Sequence, residues 1–264
     1  MALSATFRSA SFSFVNSVRI LGLDFFQGTV GDAVEAVRTG GLLVAPSGPG
    51  LADLPNDPVY QAAVTAADVR LLDSGLLALL WELRHLQMLT RISGYIFLAQ
   101  FIRLPELSDP ASSLWVAPTP AAAQRTQAWL NQVFGYAPPP EAWHIAPQYA
   151  TDIVVDPVLL ALAKQRQPRF IFIGVGSGPQ EKLGAWLKAR LEYRPTILCT
   201  GAAIAFLTGE QARIPNWADR SRLGWLARCL HDPRRFVPRY WRARRLVSLY
   251  WHWGDQAPRS SSLS

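Results

Sequence analysis

Seven short apolar runs, all but the last followed by a segment with helical spacing, constrain this chain more than anything else in it. RILGLDF (19–25) precedes VGDAVEAVRT, GLLVAP (41–46) precedes a proline-rich stretch and PVYQAAVTAA, and DVRLLD (68–73) precedes GLLALLWELRHLQ. SLWVAP (113–118) precedes TPAAAQRTQAWLNQVF, WHIAP (143–147) precedes DPVLLALAKQR, and RFIFIGV (169–175) precedes PQEKLGAWLKARLE; PTILCT (195–200) closes the series. Parallel strands need crossovers long enough to hold a helix, so this alternation predicts an α/β, Rossmann-like, mainly parallel sheet with helices on both faces. Runs that are apolar throughout suit strands covered on both sides. After residue 210 the strand signals stop, and IPNWADRSRLGWLARCLHD and PRRFVPRYWRARRLVSLYWHW read as helices. The chain therefore divides into a flexible tail (1–18), an α/β domain (19–210), a basic helical appendage (211–255) and a second flexible tail (256–264).

The charge follows the same division. The net charge is +7, yet residues 211–264 hold eleven arginines against three acids, while residues 1–210 are close to neutral. A cationic end on a neutral body suggests an anionic partner: a phosphate-bearing ligand, nucleic acid or a lipid surface. Half the residues are hydrophobic, enough for a sizeable core, but no apolar run nears the ~18 residues of a membrane span. The serine-rich start lacks the continuous apolar centre of a secretory signal. Two cysteines, Cys199 and Cys229, with no C-x-x-C pair, fit a reducing compartment better than a disulfide or zinc scaffold.

In the last helix Phe236, Tyr240, Ala243, Val247 and Tyr250 share one face, and Arg235, Arg239, Arg242 and Arg245 another. An aromatic face beside an arginine face suits a helix lying on an anionic bilayer. A salt-bridged helix packed on the body is the plainer alternative, and few acids stand nearby to pair. Stacking aromatics with arginine would also suit a single-stranded nucleic acid, but the neutral body and the lack of a reader motif argue against that partner.

Two features fall at strand ends, where open α/β sheets bind ligands. The first is Gly174-Val-Gly176-Ser-Gly178-Pro179-Gln180, whose glycines permit positive φ and whose helix start favours a phosphate. Its spacing is neither G-x-x-x-x-G-K-[ST] nor G-x-G-x-x-G, and Ser177 with Gln180 would also make an ordinary capping box. The second is Asp73, which either serves chemistry or caps the next helix. There is no Asp-x-Asp pair and no His/Asp/Glu cluster, so a metal-free site is expected; His85, His144, His231 and His252 are scattered. Cys199 lies in an apolar strand and reads as core.

Order and spacing of these pieces resemble the WecG/TagA/CpsF family of glycosyltransferases over most of residues 19–245. The matching residues are Ile20-Leu21-Gly22 with Phe25, Leu72-Asp73-Ser74, Arg91-Ile-Ser-Gly94, Gly174 to Lys182, Gly201, and Phe206-Leu207-Thr208-Gly209. Further on they are Arg213-Ile-Pro215-Asn-Trp217, Leu223-Gly224-Trp225, Asp232-Pro233-Arg234-Arg235 and Arg239-Tyr240. The resemblance implies an inverting transferase. It would move a sugar of the N-acetylmannosamine type from UDP to a polyprenyl-diphosphate-linked acceptor, in bacterial surface polysaccharide synthesis. It implies a cytoplasmic protein, peripheral at the inner face of the plasma membrane and touching it through the appendage. Asp73 would be the catalytic base. Ser47, Arg91, Gly174, Gly176, Gln180, Glu181, Gly201, Arg213, Arg222, Arg234 and Arg235 would bind substrate. No metal cofactor is implied, and a homo-oligomer is left open. The chain departs from the family pattern at Ala45-Pro46-Ser47, Ile96 and Ala205, positions that usually carry polar groups, which bears on the choice of sugar. A non-catalytic binding or scaffold member of the same fold is the alternative.

Overall fold

The computed structural model describes residues 16–150, 154–209 and 233–259. The run 19–25, expected as one strand, is a hairpin. β1 (Ser17–Ile20) and β2 (Leu23–Phe26) pair antiparallel across Leu21 and Gly22. Both turn residues have positive φ, 52° and 76°, the twist that a two-residue hairpin loop favours.

Six further strands form one parallel sheet: β3 (Gly41–Val44), β4 (Val69–Arg70), β5 (Ser113–Ala117), β6 (Trp143–Ile145), β7 (Phe170–Ile173) and β8 (Thr196–Cys199). Their order is β4-β3-β8-β7-β5-β6. Alternate residues along each strand feed two separate cores, as the pleat requires. Leu42, Val44, Leu114, Val116, Ile171, Ile173, Ile197 and Cys199 enter one. Leu43, Trp115, Phe170, Phe172 and Leu198 enter the other. With both faces covered, the central strands are apolar at nearly every position, and the periodicity that marks a half-exposed strand is absent.

The helices are α1 (Val30–Arg38), α2 (Gly48–Ala52), α3 (Pro58–Thr65), α4 (Gly75–His85), α5 (Gly94–Phe101), α6 (Pro120–Phe134), α7 (Pro157–Arg166), α8 (Pro179–Lys188), α9 (Ala203–Leu207), α10 (Pro233–Ala243) and α11 (Arg245–Trp253). Most begin at a side-chain cap: Thr29, Ser47, Asp57, Ser74, Ser93, Thr119 and Asp156 each accept a first-turn amide. α5 was not signalled by periodicity, because GYIFLAQF is apolar nearly all round.

The C-terminal helices contradict part of the expectation. Ala243, Leu246 and Tyr250 are buried, and Leu246 and Tyr250 belong to the first core. α10 packs on α2, and α11 on α2 and α4. This stretch of the apolar face is turned to the body, because the sheet's first face would otherwise leave leucines of α2 and α4 uncovered. The described residues that follow α11 are tied to the body: Leu21 N donates to Gly254 O (2.8 Å), Gly22 N to Asp255 O (3.0 Å), and Gln61 Nε2 to Pro258 O (3.0 Å). No helix among the described residues is long and apolar enough to cross a membrane.

Candidate active site

All six parallel strands end at one rim, and the loops that leave it carry most of the candidate residues. Ser47 follows β3, Asp73 follows β4, the glycine turn follows β7 and Gly201 follows β8.

Asp73 does not cap α4; Ser74 does, its Oγ accepting from Leu77 N at 3.2 Å. The Asp73 carboxylate turns instead to α5, where Gly94 N donates to Oδ1 at 3.0 Å. It thereby sits at the positive end of that helix. No protein group among the described residues bonds its Oδ2, and the side chain is only half-buried. Arg91 Nε donates to the Asp73 carbonyl at 3.0 Å, which fastens the same loop from the other side. Gly94 is needed where it stands: a Cβ there would lie 2.7 Å from Thr200 O, at the end of β8. Sequence reasoning missed this glycine's service to Asp73, although it had singled out the Arg91–Gly94 stretch.

The glycine turn opens outward. Gly176 and Gly178 have φ of 94° and 98°, and a Cβ on either would meet nothing within 4 Å. Among the described residues, the amides of Val175, Gly176 and Ser177 have no protein acceptor. Three free donors in a turn beside a helix start are a ready anion site. The expected Ser177–Gln180 capping box does not form. Ser177 Oγ lies 3.0 Å from Ser47 Oγ, joining the loops after β7 and β3, and Glu181 Oε2 accepts from Gly178 N at 2.7 Å.

Gln180 and Glu181, expected to bind substrate, are fully buried. Gln180 Oε1 accepts from Gly201 N at 3.2 Å, and its Nε2 donates to Glu181 Oε1 at 3.0 Å. The pair ties the turn after β7 to the turn after β8. Lys182, also buried, is neutralised by Asp57 at 2.6 Å. Cys199 is core as expected; burial and then the Glu181 charge push its thiol well up, away from any nucleophilic role.

A cavity of about 60 Å³ opens beside Gly174 and Gly201, between β5, β7, β8 and α5, α6, α9. Trp115, Trp143 and Phe172 line its wall, Ala205 and Ile204 its mouth. Trp115 stacks on Phe172 with ring centroids 3.9 Å apart. Sequence reasoning did not foresee this aromatic cleft, since its residues come from five separate stretches.

Of the remaining candidates, Arg234 is exposed on α10, near the rim through the packing of that helix on α2. Arg235 lies on the same helix. Arg213 and Arg222 lie outside the described residues. Ala45 is buried against Gly94, and Ile96 is exposed in the first turn of α5. Among the described residues no group of three or more His, Cys, Asp or Glu could hold a metal.

A family model described as the glycosyl transferase WecG/TagA/CpsF family matches residues 18–260. Comparison with curated proteins finds none that matches the chain.

Proposed function

The chain belongs to the WecG/TagA/CpsF family of glycosyl transferases, and on that premise we propose that Asp73 is the base of an inverting sugar transfer. Membership implies glycosyl transfer in polysaccharide biosynthesis. The finer reading is that the donor is a UDP-sugar, of the N-acetylmannosamine type, and the acceptor a polyprenyl-diphosphate-linked sugar. The protein would act at the inner face of the plasma membrane.

The supporting observation is the placement of Asp73: one carboxylate oxygen held by Gly94 N, the other unclaimed by the described protein, on the rim shared with the glycine turn. In a single displacement Oδ2 takes the proton of the acceptor hydroxyl as that oxygen attacks the anomeric carbon. The new carbon–oxygen bond forms as the bond to the β-phosphate breaks, and the electron pair leaves on UDP. The open amides of Val175, Gly176 and Ser177 would receive the diphosphate charge, with arginines of the C-terminal segment supplying the rest. Gln180 and Glu181 serve by holding the two turns in register, without touching substrate. Arg91 acts in the same way, through the Asp73 loop. With no Asp-x-Asp in the sequence, transfer is expected to proceed in the presence of a chelator.

The deciding experiment screens UDP-sugars against a water-soluble lipid-diphosphate acceptor with the full-length chain. Transfer with inversion at the anomeric carbon is expected. Absence of transfer from every UDP-sugar would favour the scaffold alternative.

A further inference from the structure

The hydroxyls behind the glycine turn do not form a closed network. Ser47 Oγ lies 3.0 Å from Ser177 Oγ and accepts from Gly50 N at 3.4 Å. Tyr60 stands on α3, where that helix packs on α8. It is 2% exposed, and its hydroxyl has no hydrogen-bond partner among the described residues. It nevertheless lies beside Ser177. A Cβ on Gly50 would stand 2.5 Å from Tyr60 OH and 3.4 Å from Ser177 Oγ, so the two oxygens flank that glycine. Burial and then the Glu181 charge push the phenol pKa well up, and the Ser177 hydroxyl works against them.

A buried hydroxyl without a partner costs free energy that phenylalanine would not incur. Here the chain also keeps a glycine in α2 where any side chain would meet that hydroxyl. Proton counting gives the phenol a use. Each hydroxyl donates once and accepts through two lone pairs. With its proton turned inward to Ser47, Ser177 presents its lone pairs away from the core. With the proton turned outward, toward the open amides of Val175, Gly176 and Ser177 itself, both lone pairs face back. One then accepts from Ser47 and the other from Tyr60. Two donors behind Ser177 polarise its O–H and strengthen the bond it gives outward.

We propose that the Ser177 hydroxyl joins the three open amides in holding the diphosphate of the sugar donor, and that Tyr60 is its positioning residue, completing its own hydrogen bond only when that anion is bound. Ser47 then acts on the substrate through Ser177, from behind it. The buried phenol is what separates this arrangement from an ordinary helix start: it is a donor held in reserve, aimed at the one side chain of the turn that can pass its effect to a ligand. That the diphosphate belongs to a nucleotide sugar rests on the glycosyl-transfer reading. That the turn takes a diphosphate group does not.

The test is calorimetric titration of the full chain with UDP, inorganic diphosphate and uridine, together with thermal melts with and without UDP. Wild type is expected to bind the first two and to bind uridine far more weakly. Ser177→Ala is expected to lose about 10-fold or more toward UDP and inorganic diphosphate alike, because a charge-assisted bond is removed. Tyr60→Phe keeps the buried ring and separates the two roles a tyrosine can have. Its melting temperature without ligand is expected to equal or exceed that of wild type, while UDP affinity falls about 3–10-fold and the UDP-induced rise in Tm shrinks. A Tyr60→Phe protein that melts lower without ligand, or that binds UDP like wild type, makes the phenol merely structural and overturns the proposal. So does a Ser177→Ala protein with undiminished affinity for diphosphate, or a wild type that binds neither UDP nor diphosphate. A wild type that binds both through Ser177 but transfers no sugar sustains the site and removes the enzymatic reading.

Discussion

The two oxygens of Asp73 have different fates, one tied to the Gly94 amide and the other left facing the rim. Asn at this position keeps an Oδ1 that can accept from Gly94 N, so Asp73→Asn tests the proton step and spares the fold. Transfer is expected to fall by about 10²–10⁴-fold with an unchanged thermal melt. Gln180 calls for the opposite pattern. Gln180→Leu removes the acceptor of Gly201 N and one donor to Glu181 Oε1, a cost of about 1–3 kcal/mol in denaturant unfolding. Because the residue is buried, its loss should raise the donor KM through loosened turns. A variant that changes activity without changing stability would show that Gln180 meets substrate after all.

At the scale of elements, the site depends on how closely α5 approaches the end of β8. Gly94 is the contact, with Thr200 O where a side chain would start. Gly94→Ala is expected to destabilise by about 1–3 kcal/mol and to lower kcat, since the shift of α5 carries the Asp73 bond with it. A fully active and stable Gly94→Ala protein would show that Asp73 does not depend on this helix. The loop between β6 and α7 is held by a different buried network. Asp156 Oδ2 accepts from Tyr149 OH at 2.8 Å and lies 2.7 Å from His144 Nε2, while Oδ1 accepts from Leu159 N at 2.9 Å. Burial alone would push the Asp156 carboxyl up, but these bonds outweigh it and hold its pKa below the usual value. A depressed carboxylate stabilises the fold above its unfolded pKa, near 3.9, and that contribution is lost as pH falls further. Asp156→Asn is therefore expected to flatten the acid limb of the stability curve below about pH 4, read by urea unfolding at stepped pH.

At the scale of the whole molecule, the basic C-terminal segment is part of the body as well as an addition to it. Leu246 and Tyr250 complete the first core, and residues 254–258 bond to the β1–β2 turn and to Gln61. Removing residues from 233 onward should therefore lower the melting temperature sharply; Tyr250→Ala alone should cost about 3–5 kcal/mol. A truncated chain that melts like the full one would show these contacts to be dispensable. The parallel sheet was legible in the sequence because strands covered on both faces must be apolar throughout. The rim position of Asp73 and the glycine turn was legible because strand ends are marked by where those runs stop. The hairpin was not, since its two strands are only four residues each, nor was helix α5, whose nearly continuous apolar stretch carries no period. The sequence alone therefore determined the α/β class, the common edge of the candidate groups and the uneven charge. Only the tertiary structure decided that Ser74 rather than Asp73 caps α4, that Gln180 braces two turns, and that Ala243, Leu246 and Tyr250 turn inward. Each of those outcomes depends on which distant segment supplies the partner for a buried polar or apolar group, and local spacing carries no record of that.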